Sequence, residues 1–196
     1  MKKVGLFFGT FNPIHIGHLI LANHLVEYAD LDEVWFVVTP HNPHKQKKTL
    51  LNDNHRYQMV QIAVEDYPKL KVSNIEFGLS QPNYTVITML HLREKYPNHQ
   101  FSLLMGEDNI QSFHKWKNYD SIIENHDIYV YPRKFSGKEK IAKIMQDYPK
   151  KIHNLDAPIV EISSTFVRKA IKEKKNIKPL LENKVYVYLD EMNFYK

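Results

Sequence analysis

The first apolar run, Val4 to Phe8, is short and continuous, and it reads as a buried β-strand. Leu21, Leu25 and Val26 then supply an apolar stripe at helical spacing, which predicts a helix from about Ile16 to Tyr28. Glu33 to Thr39 is β-branched and aromatic and reads as a second strand, closed by Pro40, which cannot continue a ladder. Strand, helix and strand at this spacing predict a right-handed parallel βαβ unit.

The alternation continues along the chain. Asn52 or Asp53 caps a predicted helix that runs to about Asp66, and Leu70 to Ser73 is a short strand followed by an extended piece, Ile75 to Leu79. Val86, Met89, Leu90 and Arg93 mark a helix entered near Asn83 to Thr85. Phe101 to Met105 and Asp127 to Tyr131 read as core strands, with a short helix over Tyr119 to Glu124 between them. Ser136 to Gln146 reads as a basic helix, Ile159 and Val160 as a last short strand, and Pro179 to Phe194 as a final helix with an aromatic end. The pattern predicts an α/β, Rossmann-like open sheet, mostly parallel, with helices on both faces and a short C-terminal helical part. The 196 residues fit one domain, 1–196, in which about 163–196 forms a C-terminal subregion.

Composition narrows the function classes. With no cysteine there is no disulfide, thiolate metal site or cysteine nucleophile. No apolar run approaches the length of a membrane span, and Met1-Lys2-Lys3 leads straight into the first strand without a signal-peptide layout, so a cytoplasmic protein with no membrane partner is expected. A formal charge of +5 suits a binder of small anions. The lysines between Lys134 and Lys178 are mixed with glutamates and read as a solvated surface. The sequence carries no single-strand platform or helix-turn-helix pattern, so no nucleic-acid partner is expected. Self-association as a homo-oligomer is left open.

Candidate chemistry concentrates where strands give way to helices. Gly9-Thr10-Phe11-Asn12-Pro13-Ile14-His15-Ile16-Gly17-His18 joins the first strand to the first helix. In an open α/β fold, ligands sit beyond the carboxyl ends of the strands, and a helix amino end there presents N–H groups to phosphate. His15 and His18 share one edge of a helical turn, imidazoles donate to phosphoryl oxygens, and Gly17 permits close approach. Far along the chain, Ile162-Ser163-Ser164-Thr165-Phe166-Val167-Arg168 offers a serine cap and an arginine four residues after Ser164, on the same helix face.

The first stretch resembles the HxGH signature of the nucleotidyltransferase superfamily, which transfers a nucleotide from ATP or CTP onto a phosphate, and the second resembles its distal serine signature. Three further elements resemble the nicotinate-nucleotide adenylyltransferase branch. They are the loop Pro40 to Lys48, the stretch Tyr84-Thr85 to Leu90, and Gly106-Glu107-Asp108 with Trp116 and Arg133 downstream. The resemblance implies transfer of the adenylyl group of ATP to nicotinate mononucleotide, giving nicotinate adenine dinucleotide and pyrophosphate. It implies Mg²⁺ carried with ATP rather than in a protein-built metal site.

By that resemblance His15, His18, Lys45 and Arg168 are catalytic. ATP is bound by Gly9, Thr10, Phe11, His15, Gly17, His18, Gly106, Asp108, Arg133, Ser163, Ser164, Thr165 and Arg168. Nicotinate mononucleotide is bound by Thr10, Asn12, Lys45, Tyr84, Thr85 and Trp116. The backbone of Tyr84 and Thr85 would hold the pyridine carboxylate, and Trp116 would stack on the ring. This chain departs from the family pattern at Asn12, where aspartate is usual, and at Asn42, Met89 and Glu107. The competing readings are adenylyl transfer to another acceptor, nicotinamide mononucleotide or pantetheine phosphate, and a non-catalytic nucleotide- or RNA-binding protein.

Overall fold

A computed structural model describes residues 1–42, 50–133, 143–144 and 146–196. Six parallel strands form one sheet in the order β3-β2-β1-β4-β5-β6. They are β1 (Lys2–Gly9), β2 (Glu33–Val38), β3 (Leu70–Ser73), β4 (His99–Gly106), β5 (Ile128–Tyr131) and β6 (Ile152–Asn154). The helices are α1 (Ile16–Tyr28), α2 (Asp53–Val64), α3 (Thr85–Lys95), α4 (Glu107–Ile110), α5 (Tyr119–Asn125), α6 (Ser164–Lys172) and α7 (Asn183–Glu191). β1 pairs with β2 on one side and β4 on the other, so the strand order reverses at β1/β4. A crevice beyond the strand ends at that reversal is where such sheets bind ligands.

Successive side chains of a strand point to opposite faces, and here each face meets its own core. Phe7, Val34, Phe36, Val38 and Leu104 pack with α1 and α2 through Leu21, Leu25, Met59 and Val60. Val4, Leu6, Val37, Leu103 and Met105 pack with α3 and α5 through Met89, Leu92, Ile122 and Ile123. Val167, Ala170, Ile177, Leu181 and Leu189 make a third, smaller cluster around α6 and α7.

Among the described residues the expected elements are present with two exceptions. Ile75–Gly78 is a 3₁₀ turn rather than an extended piece, closed by the Phe77 N–H to the Asn74 carbonyl. The turn buries the Glu76 side chain against α3, where Thr88 donates to it, and sets Phe77 on Tyr57. The last strand is Ile152–Asn154, not Ile159 and Val160. Ile152 pairs with Ile128 and is buried, whereas Ile159 is exposed. Most of the predicted basic helix Ser136–Gln146 lies outside the described residues.

Candidate active site

Gly9 ends β1 with no room for a side chain, because a Cβ there would lie 2.7 Å from the Phe11 ring. Phe11 itself holds a left-handed φ of 43°, a strained backbone for a bulky residue. Its ring is buried against Phe36 and edge-on to His18, and that packing offsets the strain.

His15 caps α1 and is 3% exposed. Its ring stacks on His18 with centroids 3.7 Å apart. The His15 backbone N–H donates to His18 Nδ1 at 3.2 Å. That bond makes Nδ1 an acceptor, so the neutral His18 ring carries its proton on Nε2, as a donor for a ligand. His15 Nδ1 is buried without a hydrogen-bond partner among the described residues. An orphaned buried ring nitrogen is the kind of polar atom that a ligand completes. A Cβ on Gly17 would lie 3.0 Å from Val160 and 3.1 Å from His15 Nδ1, so glycine is what leaves this nitrogen its space.

Burial, then the nearby Arg133 guanidinium, lower the His15 imidazole from its ordinary 6.5 to about 4. The unfolded chain therefore binds the extra proton first as pH falls. Stability from this group is intact above about pH 6.5 and declines as pH falls toward 4. At about 1.4 kcal/mol per pKa unit, the withdrawn stability is on the order of 3 kcal/mol. His15→Asn is expected to flatten the fall in urea-unfolding free energy between neutral pH and about pH 4.5, and an equally steep fall in the variant would assign the slope to other groups.

The second signature docks directly on the first. Ser163 caps α6 by accepting from the Phe166 N–H at 3.1 Å. Ser164 Oγ donates to the Pro13 carbonyl at 2.8 Å, and Arg168 Nη1 donates to the Asn12 carbonyl at 2.7 Å. Residues four apart on a helix share a face, and here that face meets the Gly9–His18 loop. Arg168 Nη2 also reaches Thr165 Oγ1 at 3.3 Å. Arg133 donates to the Val160 carbonyl at 3.2 Å, and its backbone N–H bonds Glu107, so it stands between β5 and the segment leading to α6. Gly106 sits under Asp108, whose Oδ1 leaves no room for a Cβ there.

A cavity of about 130 Å³ opens at the carboxyl ends of β1 and β4, on the α3 face. Tyr84, Thr85, Trp116, Lys117, Asn83 and Glu76 are among the residues that line it. The first intrahelical bonds of α3 run from the Ile87 and Thr88 N–H groups to the Tyr84 carbonyl, so the amides ahead of them face outward for an anion. Trp116 is half-buried against Phe113, and Lys117 Nζ lies 4.5 Å from the Tyr84 ring centroid.

Lys45 lies outside the described residues. Buried Arg56 and half-buried Tyr195, which the sequence did not mark for this role, hold the loops in place. Arg56 has no exposed surface. It donates to the carbonyls of Thr10 at 2.6 Å, Thr39 at 2.9 Å and Leu51 at 3.0 Å, and pairs with Asp53 at 2.5 Å. It thereby ties the loop after β1 to the end of β2. Tyr195 donates to Asn12 Oδ1 at 2.7 Å, which also accepts from the Leu51 N–H at 3.2 Å. Asparagine at position 12 is thus a buried acceptor between two loops. A signal for Arg56 was present, since a cation in a helix's first turn opposes the helix dipole and needs another reason to be there.

A family model described as cytidylyltransferase-like matches residues 6–170, so the chain belongs to that nucleotidyltransferase class. A probable nicotinate-nucleotide adenylyltransferase of Flavobacterium johnsoniae is 64% identical over 194 residues, 99% of either chain. One of Bacteroides fragilis is 46% identical, over 94% of this chain and 89% of its own. The nicotinic acid mononucleotide adenylyltransferase of Plasmodium falciparum, solved with NaAD, shares the fold at a TM-score of 0.81, covering 100% of this chain and 98% of that one, with 20% identity. The chain belongs to the nicotinate-nucleotide adenylyltransferase family.

Proposed function

We propose that the protein transfers the adenylyl group of ATP to nicotinate mononucleotide, releasing pyrophosphate and forming nicotinate adenine dinucleotide. The observation that carries the reading is the docking of α6 on the Gly9–His18 loop at the reversal of strand order, beside a cavity suited to a flat acidic ring.

An oxygen of the acceptor phosphate attacks the α-phosphorus of MgATP in line, and the bond to pyrophosphate breaks. No covalent intermediate is required, so catalysis rests on alignment and on absorbing charge. His18 Nε2–H and the His15 ring donate to phosphoryl oxygens. Arg168 and Lys45 balance the transferring and leaving groups, and Ser163, Ser164 and Thr165 hold the phosphate end of ATP. Gly9, Phe11, Gly17 and Gly106 let the nucleotide approach the backbone, while Asp108 and Arg133 meet its adenosine side. Thr10 and Asn12 support the acceptor phosphate, and the amides of Tyr84 and Thr85 take the ring carboxylate beneath Trp116. Mg²⁺ enters with the triphosphate as part of the substrate. The chain works as one unit in the cytoplasm, with 163–196 as the subregion that closes the nucleotide site. Among the described residues no helix is long and apolar enough to cross a membrane.

An acceptor panel with ATP, scored by pyrophosphate release, tests the reading. Nicotinate mononucleotide should give the highest kcat/KM, and a preference for pantetheine phosphate would overturn it. Trp116→Ala is expected to raise KM for the pyridine nucleotide about tenfold through lost stacking, with KM for ATP nearly unchanged. A loss confined to ATP would remove Trp116 from the acceptor site.

A further inference from the structure

Glu76 is an ionisable side chain in the wall of the acceptor cavity, and the reaction as described gives it no task. It is 1% exposed. Its position is fixed at three points. Thr88 Oγ donates to Oε1 at 2.6 Å, Asn83 Nδ2 donates to its backbone carbonyl at 3.2 Å, and Thr39 faces the carboxyl from the end of β2. Asn83 is itself clasped by His41, whose N–H donates to Asn83 Oδ1 at 3.1 Å and whose carbonyl accepts from the Asn83 N–H at 3.0 Å. The Asn83 bonds thus hold the Glu76 backbone beside Tyr84, and Thr88 holds the carboxyl itself. Its other oxygen, Oε2, is buried with no hydrogen-bond partner among the described residues.

We propose that Glu76 is a specificity-determining residue of the acceptor cavity, its uncommitted Oε2 donating a hydrogen bond to the acidic group on the acceptor's ring. The inference rests on the reading of the acceptor as nicotinate mononucleotide. The chemistry is consistent on each atom. In the protonated form, donation from Thr88 makes Oε1 the carbonyl-like oxygen and puts the acid proton on Oε2. Burial, partly opposed by Thr88 and Thr39, raises the Glu76 carboxyl above its ordinary range. The titratable groups lining the same cavity are Tyr84, Lys117 and Tyr131, and none of them supplies a charge contribution at Glu76.

A neutral acid donating to a carboxylate makes a charge-assisted bond, stronger than one to an amide oxygen. An ionised Glu76 would repel the ring carboxylate and accept instead from an amide NH₂. The preference for acid over amide thus follows the Glu76 proton.

The test compares kcat/KM for nicotinate and nicotinamide mononucleotides between about pH 6 and 9. Ionisation of the nucleotide phosphate is common to both substrates and cancels in the ratio. In the unmodified enzyme the acid-to-amide ratio should fall as pH rises. Glu76→Gln, whose amide donates as the neutral acid does, should stay within about threefold of the unmodified enzyme on the acid at neutral pH and lose the pH trend in the ratio. Glu76→Leu should raise KM for the acid about 10- to 100-fold and leave KM for ATP unchanged. Thermal melting of both variants separates misfolding from lost recognition, and Glu76→Gln keeps the shape if Glu76→Leu does not fold. The proposal is overturned if Glu76→Gln is as impaired as a folded Glu76→Leu at neutral pH, or if Glu76→Gln keeps the unmodified pH trend. Those results leave the function standing so long as the unmodified enzyme prefers the acid. No turnover of either pyridine nucleotide by the unmodified enzyme overturns both.

Discussion

His18→Ala is expected to lower kcat at least about 100-fold without unfolding the protein. A donor aimed at charge that develops in the transition state contributes a few kcal/mol, and each 1.4 kcal/mol is tenfold in rate. His18 is oriented for that task, since its Nδ1 is engaged by the His15 N–H and its face is held by the His15 and Phe11 rings. The side chain is only half-buried, so the truncation removes little packing. Rapid-quench single-turnover kinetics with saturating ATP and acceptor separate the chemical step from binding. An unchanged single-turnover rate would remove His18 from the reaction. His18→Gln, which restores a donor of similar reach, should recover part of the loss.

The second large effect falls on a residue that touches no substrate. Arg56→Met is expected to cost about 3–5 kcal/mol of stability, the range for breaking a buried charged network and leaving its acceptors unpaired. In a chain of this size that lowers Tm by about 10 °C. The Asp53 pair alone would not account for it, because Asp53 is about one-third exposed and such pairs are worth little. The cost comes from the Thr10, Thr39 and Leu51 carbonyls that lose their donor. Arg56→Lys keeps the charge but not the fork, so it should be only partly better. A drop in Tm under about 3 °C for Arg56→Met would mean that water replaces the guanidinium. Because Arg56 holds the Thr10 carbonyl, the surviving folded fraction should also show a raised KM for the acceptor phosphate.

Much of the architecture was readable from apolar runs and their boundaries. The extent of α1 follows from the stripe of Leu21, Leu25 and Val26, and the central strands follow from runs too short for helices. The errors fall where local pattern carries no information about partners. Glu76 and Phe77 sit in a turn because one side chain is required against Thr88 and the other against Tyr57, neither of which is a sequence neighbour. Ile159 and Val160 have strand composition, but the sheet edge beside β5 is taken by Ile152–Asn154. The two signatures were legible as motifs, and the bonds between them, such as Arg168 to Asn12, join the face that the serine–arginine spacing predicted. The supports were hardly legible, beyond the unexplained cation that Arg56 puts in the first turn of α2. Arg56, the Tyr195 bond to Asn12 and the Glu76 cluster depend on contacts between distant segments, and their residue types carry no motif.

The central claim is that both signatures grip one triphosphate at the reversal of strand order, with the acceptor ring under Trp116. A crystal structure with an ATP analogue methylated between the α- and β-phosphates, together with nicotinate mononucleotide, tests it most directly. The account predicts His18 Nε2, the His15 ring and the Arg168 guanidinium all within hydrogen-bond distance of that single analogue, about 3 Å, and the acceptor phosphate in line with its α-phosphorus. A triphosphate bound by only one signature, or an acceptor ring seated away from Trp116 and Tyr84, would contradict it.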